Sequence, residues 1–299
     1  MRREVHAVTG AFGYSGLHLS KLLLERGARV CSLTGHPDRP DPFDGRVDVR
    51  RFQFEDPARM RAALADVKVL YNTYWVRFAR GTTTHARAVE HSRRLFRAAA
   101  EAGVERVVHV SITNPSLDST LPYFKGKAEV EQALAATGLS HAILRPAVFF
   151  GGRDVLINNI AWLLRRLPVF GVAPGRYGLQ PIHVEDMARL SAEQGASRTN
   201  ITMDAVGPEA LAFGELVHLV RRAVGSSALV TTVPPWFLLL ASRLLQAVVG
   251  DVVLTSDEVV GLTSNLLVSS GPATGTTRFS DWLGQNAAGL GVADRKSVV

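Results

Sequence analysis

Short apolar runs alternate with helical patterns along the first half of the chain. The runs that predict β-strands are VHAVT (5–9), ARVCSLT (28–34), DVRRFQF (48–54), VKVLYNTYW (67–75), VERVVHVSI (104–112) and HAILRPAVF (141–149). Segments with apolar positions at helical spacing separate most of them, such as AVEHSRRLFRAAAEAG before Val104. This alternation predicts an α/β fold: a doubly wound parallel sheet covered by helices on both faces.

The pattern changes after Gly151-Gly152, where helical segments dominate. These segments are INNIAWLLRRL, VEDMARLSAE, FGELVHLVRRAV and DWLGQNAAGL, with ITMDAV and ALVTTV as short strand candidates. We therefore predict two domains: a doubly wound core over 1–150, and a smaller, mostly helical cap over 151–299 with elements that return to the core. The cap is expected at the carboxyl edge of the sheet, where doubly wound folds hold their ligands.

The composition narrows the classes of partner. The chain has 299 residues, 46% hydrophobic and 20% charged, with a net charge of +7 that comes from scattered arginines. Since no basic run interleaved with aromatic residues occurs, nucleic-acid binding is not expected, whereas an anionic small molecule fits. The single cysteine, Cys31, excludes an internal disulfide and a cysteine-cluster metal site, and no His/Asp/Glu spacing suggests a metal.

The most apolar stretch, residues 230–254, does not predict a transmembrane helix, because Pro234-Pro235 and Arg243 interrupt it. We interpret it as a pocket wall or a buried helix, with an interfacial membrane helix as the alternative. The chain enters a strand pattern almost at its first residue, which leaves no room for a signal-peptide core. The sequence therefore predicts a cytoplasmic protein.

A glycine-rich turn, TGAFGYSG, joins the first strand to the first helix. Gly10, Gly13 and Gly16 suit a tight turn, a close approach of backbone to pyrophosphate, and close helix–strand packing. The helix N-terminus that follows offers unpaired N–H groups and the positive end of a dipole to phosphates. In this position the turn predicts dinucleotide binding, with Phe12 and Tyr14 included among the cofactor contacts. The alternative is an ordinary glycine-rich loop.

The spacing TGxxGxxG resembles that of the extended and atypical short-chain dehydrogenase/reductases, which have a Rossmann fold. More closely, the chain resembles the NAD-dependent epimerase/dehydratase-like branch, near the NmrA-like proteins and the short-chain-type accessory subunit of respiratory complex I. The resemblance covers most of the chain. It is carried by TGAFGYSG, VVHVSITN, YFKGKAEVE, ILRPAVFFGG, INNIAWLLRRLPVFGV, LQPIHVEDMA and GTTRFSDWL.

The residues after the second strand bear on the choice of nucleotide. An acidic residue there would accept the ribose hydroxyls of NAD, but the sequence has Thr34, His36 and Arg39 instead. Because these could surround a 2′-phosphate, NADP(H) is favoured over NAD(H), unless His36 and Arg39 are plain loop residues. Gln53 stands where the resemblance implies an adenine-binding Asp. Further cofactor contacts are predicted for Phe54, Asn72 and Thr73.

The resemblance implies an acid/base pair in PYFKGKAE. Tyr123 and Lys127 share one helical face, and in the family the tyrosine exchanges a proton with the substrate oxygen. The lysine stabilises the phenolate and holds the nicotinamide ribose, so Lys127 is both a catalytic and a cofactor-binding candidate. Thr113 and Ser111 are candidates for polarising the substrate oxygen. The alternative for these two hydroxyls is turn capping before Pro115.

The fourth strand departs from the family pattern, which has two small residues where Tyr74 and Trp75 stand. Those rings would shape a narrow apolar substrate pocket or fill it, or else pack under the cap. The short interval between Thr113 and Tyr123 disfavours a large UDP-sugar. At the end of the sixth strand the resemblance implies cofactor contacts by Pro146, Ala147, Val148 and Phe149. Phe149 is also predicted to line the substrate pocket. It also suggests His183 and Asp186 as a structural hinge.

The leading interpretation is an NAD(P)-dependent oxidoreductase or epimerase that acts on a small, largely apolar carbonyl or alcohol. One alternative is an NmrA-like nucleotide-binding sensor or scaffold without turnover. Another is a non-redox cyclase or dehydratase of natural-product metabolism that keeps the nucleotide as a structural part. The sequence leaves the substrate, the reaction direction and the oligomeric state open.

Overall fold

The computed structural model describes residues 4–79, 81–234, 236–238 and 256–292. The chain forms two compact units, and each is continuous only in space: Met1–Pro146 with Val184–Ala205, and Ala147–His183 with Val206–Val299. The predicted boundary after residue 150 thus differs slightly from the end of the first segment, because Phe149-Phe150 pairs with a strand of the second unit. Most of the apolar stretch 230–254 lies outside the described residues.

The strands are short, and their bounds follow the apolar runs. In chain order they are β1 Val5–Thr9, β2 Arg29–Thr34, β3 Val47–Arg51, β4 Val67–Asn72, β5 Arg106–Val110, β6 Ser140–Pro146, β7 Phe149–Phe150, β8 Val169–Val172, β9 Gly178–Leu179, β10 Ile182–His183, β11 Ile201–Ala205, β12 Leu211–Ala212 and β13 Leu229–Thr232.

The helices take up most of the connections. In chain order they are α1 Tyr14–Glu25, α2 Pro57–Ala63, α3 His85–Glu101, α4 Pro122–Ala135, α5 Leu156–Arg166, α6 Val184–Ala196, α7 Phe213–Ala223, α8 Ser256–Thr263 and α9 Phe279–Asn286.

The first unit is the doubly wound sheet that the sequence predicts. Its seven strands lie in the order β11-β6-β5-β4-β1-β2-β3, and every pair is parallel. Helix α1 packs against α6, while α3 packs against α2 and α4. Buried apolar side chains such as Leu70, Phe96, Val107 and Leu134 fill one layer between sheet and helices. This confirms the predicted α/β Rossmann fold.

Strands β3, β4, β5 and β6 each end two or three residues earlier than predicted, and the ends of β3 and β4 matter most for the site. Strand β3 stops at Arg51 rather than at residue 54, because the chain turns into α2, which Asp56 caps by accepting from the Arg59 N–H at 3.0 Å. Strand β4 stops at Asn72, because the Thr9 hydroxyl takes the Thr73 N–H at 2.7 Å. The residues beyond each end can therefore turn their side chains along the edge of the sheet.

The second unit mixes helices with short strand pairs. Within the described residues it has three two-stranded sheets: β7 with β10, β8 with β13, and β9 with β12. Its helices bury apolar side chains around Phe150, Ile157, Leu216 and Phe279. No helix within the described residues is both long enough and apolar enough to cross a membrane.

Candidate functional site

The glycine turn lies at the carboxyl end of β1 and leads straight into α1. Gly10 has a φ of +68°, which glycine adopts without strain, and its carbonyl accepts the Gly13 N–H at 2.8 Å. A Cβ on Gly16 would lie 2.2 Å from the Gly10 carbonyl oxygen, so no other residue fits there without a backbone shift. The three glycines therefore serve one compact turn.

The N-terminus of α1, which follows this turn, is suited to bind phosphate. No side chain among the described residues caps the N-terminus of α1, and its first turn carries no acidic residue. No capping side chain therefore competes with a ligand at this end of the helix, and the helix dipole favours a negative one. The cradle fits the pyrophosphate of a dinucleotide, with Phe12 inside the turn and Tyr14 at the first position of the helix.

A basic cavity of about 360 Å³ lies just beyond β2. It is lined by Gly35, His36, Pro37, Asp38, Arg39 and Arg51. The Thr34 hydroxyl accepts the His36 N–H at 3.0 Å and holds the loop in place. Arg51 was not among the predicted residues, because its position beside Thr34 follows only from the pairing of β2 with β3. Three basic side chains against one Asp make this a site suited to an anion.

An aromatic cluster joins the residues after β3 and β4 to helix α3: Phe52, Phe54, Tyr74 and His91. The Phe54 ring stacks on Phe52 with centroids 4.6 Å apart and on His91 at 3.9 Å. Phe54 is thus packed among other rings of the protein, and its predicted contact with the cofactor stays a prediction. The Tyr74 hydroxyl is 2.9 Å from Nδ1 of His91, and burial raises the pKa of Tyr74. Gln53 accepts a weak hydrogen bond from Arg59 at 3.4 Å.

A buried hydrogen-bond network joins the ends of three strands. Asn72 accepts the Tyr74 N–H at 3.2 Å and, through its amide nitrogen, donates to Nδ1 of His109 at 3.1 Å. Thr73 donates its hydroxyl to the Thr9 carbonyl at 2.5 Å. Burial lowers the pKa of His109 well below its ordinary value, so the ring is neutral. Asn72 and Thr73, predicted to contact cofactor, thus fix the chain that carries Tyr74 and Trp75.

Trp75 lies against both members of the predicted acid/base pair. Its ring meets the Tyr123 ring edge-on, with centroids 5.7 Å apart and planes at 81°. The Lys127 ammonium sits 4.6 Å from the centre of the same ring. Between them on α4, a Cβ on Gly126 would lie 2.9 Å from Cη2 of Trp75, so any larger residue there would force the indole to shift. Trp75 therefore contacts the predicted acid/base pair, whereas its neighbour Tyr74 belongs to the aromatic cluster.

Lys127 is buried, with only 2% of its surface exposed. Its ammonium donates to the Val110 carbonyl at 2.8 Å, at the carboxyl end of β5. Burial lowers the pKa of Lys127 to about 7, and Glu131 partly opposes that shift. A lysine that can change charge near neutral pH, one helical turn after a tyrosine, suits acid/base work.

The two hydroxyl candidates differ in their surroundings. The Ser111 hydroxyl donates to Glu131, whose carboxylate also accepts Nε and Nη2 of Arg145. Ser111 is therefore engaged with α4 and β6. Thr113 is buried beyond the end of β5, and its N–H donates to the Pro146 carbonyl at 3.0 Å. Of the two, Thr113 lies further along the carboxyl edge of the sheet, where doubly wound folds hold their ligands.

The remaining predicted residues fall in the second unit or at its boundary. Ala147, Val148 and Phe149 begin the second unit, where the Val148 carbonyl accepts the Ile182 N–H at 2.9 Å. Their predicted role toward the cofactor stays a prediction. His183 is the last residue of a second-unit segment and stacks edge-on with Phe150 at 5.1 Å. Asp186 belongs to the first unit and pairs with Arg189 at 2.7 Å.

Comparison with known proteins agrees with this geometry. Residues 10–156 match the family of NAD(P)H-binding proteins, a segment that runs from the glycine turn to the start of α5. This part of the chain is similar to NAD(P)H-binding domains.

Among curated relatives, a protein of Mycobacterium tuberculosis described as uncharacterised is 29% identical over 187 residues, which is 62% of this chain and 19% of that protein. The mouse NADH dehydrogenase 1 alpha subcomplex subunit 9 is 27% identical over 235 residues, which is 74% of this chain and 60% of the subunit. The chain thus spans less than two thirds of the length of these relatives.

Solved structures share the fold. An Escherichia coli NADPH-dependent quinone oxidoreductase complexed with NADPH superposes with a TM-score of 0.74 at 18% identity, over 95% of this chain and 99% of that one. The Bordetella bronchiseptica enzyme WbmH in complex with NAD⁺ gives a TM-score of 0.62 at 18% identity, over 78% and 86%. These similarities show a fold that nucleotide-dependent reductases and epimerases also have. The resemblance to the extended and atypical short-chain dehydrogenase/reductases, near the complex I subunit, is thereby confirmed.

Proposed function

We propose that the protein is an NAD(P)-dependent oxidoreductase or epimerase that acts on a small, largely apolar carbonyl or alcohol. One observation carries the proposal: Tyr123 lies one helical turn before the buried Lys127, at the edge of the sheet that also bears the glycine turn. The proposed acid/base pair at β5 and the nucleotide cradle after β1 would then share the carboxyl edge of one sheet, with only β4 between the two strands, and doubly wound sheets hold their ligands at that edge.

The proposed roles follow from the surroundings of each residue. A bound nicotinamide supplies or accepts the hydride. Tyr123 gives or takes the proton at the substrate oxygen, and Thr113 donates a hydrogen bond to that oxygen. A free tyrosine titrates near pH ~10, so it needs a neighbouring cation to act at neutral pH. Lys127 is that cation when protonated, and its burial strengthens the interaction with a phenolate.

NADP(H) is the proposed cofactor. The support is the cavity beyond β2, where His36, Arg39 and Arg51 could surround a 2′-phosphate. The solved structures with this fold include one complexed with NADPH and one with NAD⁺, so the fold itself serves both nucleotides. The partner is a small-molecule substrate, and the cytoplasmic location predicted from the sequence stays part of the proposal.

A second candidate is a nucleotide-binding scaffold without turnover, and two observations favour it. The relatives include a subunit named for NADH dehydrogenase. The Trp75 ring also lies against Tyr123, where the resemblance leads one to expect small residues.

One measurement tests what the two candidates share, and a second separates them. Calorimetric titration with NADPH and NADH tests the cradle, and tight binding of either is expected under both candidates. Loss of absorbance of NADPH with a panel of small aldehydes and ketones then tests turnover. Replacing Tyr123 by Phe is expected to lower the turnover rate at least a hundredfold, while the nucleotide affinity stays within twofold of wild type. Turnover that survives Tyr123→Phe would remove Tyr123 from the mechanism, and no turnover with any carbonyl would favour the scaffold.

A further inference from the structure

Helix α4 buries a second charged residue, Glu131, one helical turn after Lys127. Tyr123, Lys127 and Glu131 follow one another at intervals of four residues, so they lie along one stripe of the helix. Glu131 is 8% exposed and Lys127 only 2%. A charge taken out of water destabilises the fold unless hydrogen bonds and opposite charges compensate it. The partners of this carboxylate therefore indicate its role.

Glu131 is bonded to the same stretch of backbone that holds Lys127. Its carboxylate accepts the hydroxyl of Ser111, the residue directly after β5. The N–H of Ser111 donates to the Leu144 carbonyl of β6 at 2.7 Å. The carbonyl in that same peptide group belongs to Val110, and it accepts the Lys127 ammonium at 2.8 Å. A shift of the carboxylate would therefore move the peptide group that positions the ammonium.

The charges around Glu131 balance only when Lys127 is counted. Arg145 donates from Nε to the Glu131 carboxylate at 2.9 Å. Arg145 also lies opposite Asp204 in the register of β6 with β11, and its pKa is raised chiefly by the hydrogen bond to Glu131 and further by Asp204. Two carboxylates thus share one guanidinium, and the Lys127 ammonium supplies the second positive charge. Because Glu131 and Lys127 are buried, their attraction favours the protonated lysine.

Three other titratable side chains lie around Lys127: His109, His85 and Tyr123. Burial, and then the charge of Lys127, lower the pKa of His109 on β5, so that ring is neutral. His85 and Tyr123 pack against the indole that the ammonium faces. A histidine is neutral or positive, and a tyrosine is neutral below its usual pKa of ~10. The negative charge that favours the ammonium therefore comes from Glu131 rather than from these rings.

We propose, building on the function proposed above, that Glu131 is a positioning residue that keeps the Lys127 ammonium charged and in place one turn after Tyr123. Ser111 serves this link between helix and sheet, and Thr113 is left as the donor to the substrate oxygen. The sequence analysis assigned no role to Glu131, because only the packing of α4 against β5 and β6 gives this carboxylate its partners.

The test is the titration of Lys127 itself, which needs neither substrate nor turnover. The chain has only five lysines, so ¹³C labelling at the lysine ε carbon gives a simple NMR spectrum, in which Lys127→Met identifies the signal. The wild-type midpoint is expected near pH 7. Glu131→Gln keeps the size of the side chain but removes its charge. We expect it to lower the midpoint by about one pH unit, a tenfold change in the acid dissociation constant.

The matched control is Glu129→Gln. Glu129 lies two residues earlier on α4 and pairs with Arg93 of α3 at 3.6 Å. Its replacement is expected to change the acid dissociation constant of Lys127 less than twofold. The direction of the change in Glu131→Gln also separates a charge effect from a packing defect. A loosened helix would admit water and raise the midpoint toward the ordinary lysine value.

A second variant decides if Glu131→Gln does not fold, as judged by thermal unfolding. Asp204→Asn removes the other carboxylate that shares Arg145, so the guanidinium is left to Glu131 alone. This variant is expected to lower the Lys127 midpoint as well, with at least a twofold change in the acid dissociation constant.

The outcomes separate this inference from the function it rests on. A midpoint that stays unchanged or rises in the deciding variant overturns the inference, and so does an equal fall in Glu129→Gln. Where the midpoint falls, the pH profile of turnover is expected to move down by the same amount. A profile that stays in place would overturn the role of Glu131 in the reaction. Absence of turnover in wild type would overturn the proposed function, while the titration still tests the link between Glu131 and Lys127.

Discussion

The glycine turn and the edge at Trp75 lie in the same unit but are built by different means. In the turn, residues close in sequence set the shape: Gly10, Gly13 and Gly16 contact one another within one loop, and the Gly10 N–H anchors it by donating to the Leu33 carbonyl of β2. At the edge, three distant segments meet, since Trp75 follows β4, His85 begins α3, and Tyr123 and Lys127 lie on α4. The turn offers backbone N–H groups, and the edge offers rings and one buried amine.

This contrast between the turn and the edge shows which kind of site can be recognised from a short stretch of sequence. A turn that depends on backbone shape tolerates few sequences, so its motif is readable. An edge built from packed side chains depends on which segments the sheet brings together. Variants in each region should therefore fail in different ways, and four predictions follow that difference from the largest effect to the smallest.

The buried amine should make folding stability depend on pH. Burial lowers the pKa of Lys127 from 10.5 to about 7, so between these values the unfolded chain binds more protons than the folded one. Stability of wild type therefore rises with pH in this window, whereas Lys127→Met removes that dependence. The unfolding free energy of Lys127→Met minus that of wild type should therefore fall by roughly 3 kcal/mol from pH 7 to 9.5.

Urea unfolding at several pH values measures this difference. Lys125→Met is the control, because Lys125 is exposed two residues away on the same helix, and its difference from wild type should stay flat. A Lys127→Met difference that does not change with pH would contradict a buried amine.

The turn should fail through its backbone. Gly16→Ala puts a Cβ 2.2 Å from the Gly10 carbonyl oxygen, which forces the loop open. We expect NADPH affinity to fall about 100-fold, equivalent to roughly 2.7 kcal/mol, as measured by calorimetry. Gly284→Ala, where no atom lies within 4 Å of the new Cβ, should bind like wild type. Unchanged NADPH binding by Gly16→Ala would show that the turn does not hold the phosphates.

Arg51 should discriminate between nucleotides. Arg51→Ser removes one basic side chain from the cavity beyond β2. We expect NADPH to bind about tenfold more weakly, a loss of roughly 1.4 kcal/mol, while NADH binding changes less than twofold. The ratio of the two affinities is the measurement. Equal losses for both nucleotides would mean that Arg51 supports the loop rather than a 2′-phosphate.

The smallest effect tests the packing of the edge. Gly126→Ala adds a methyl group 2.9 Å from Cη2 of Trp75, which overpacks the contact, although alanine favours a helix by about 1 kcal/mol. We expect a net destabilisation of about 1 kcal/mol in wild type and none, or a slight gain, in a Trp75→Leu background. Chemical denaturation of the four proteins in this cycle measures the coupling. Equal effects in both backgrounds would separate Gly126 from the indole.

Much of the fold was readable because it depends on local pattern. The apolar runs predicted all seven strands of the main sheet, including ITMDAV as β11. The ends of β3 and β4 were predicted too far along, since Phe54 and Trp75 are apolar for a different reason: they pack against other rings. A run of apolar residues does not tell a strand from the aromatic turn that follows it.

The candidate site divides in the same way. Lys127 and the glycines were predicted from spacing and motif. The position of Arg51 follows only from the pairing of β2 with β3, and that of His85 from the packing of the start of α3 against Trp75. The engagement of Ser111 with Glu131 likewise needs α4 folded against the sheet. Partners far apart in sequence carry no local signal of their meeting.

By itself, then, the sequence determined the alternation of strands and helices, the turn at Gly10–Gly16 and the spacing of Tyr123 and Lys127. These rest on periodicity and backbone geometry over a few residues. The tertiary structure alone decided that Tyr74 turns into the cluster with Phe54 while Trp75 turns onto Tyr123 and Lys127. Successive side chains at a strand end can point in different directions, and only the helices packed there settle where each ring goes.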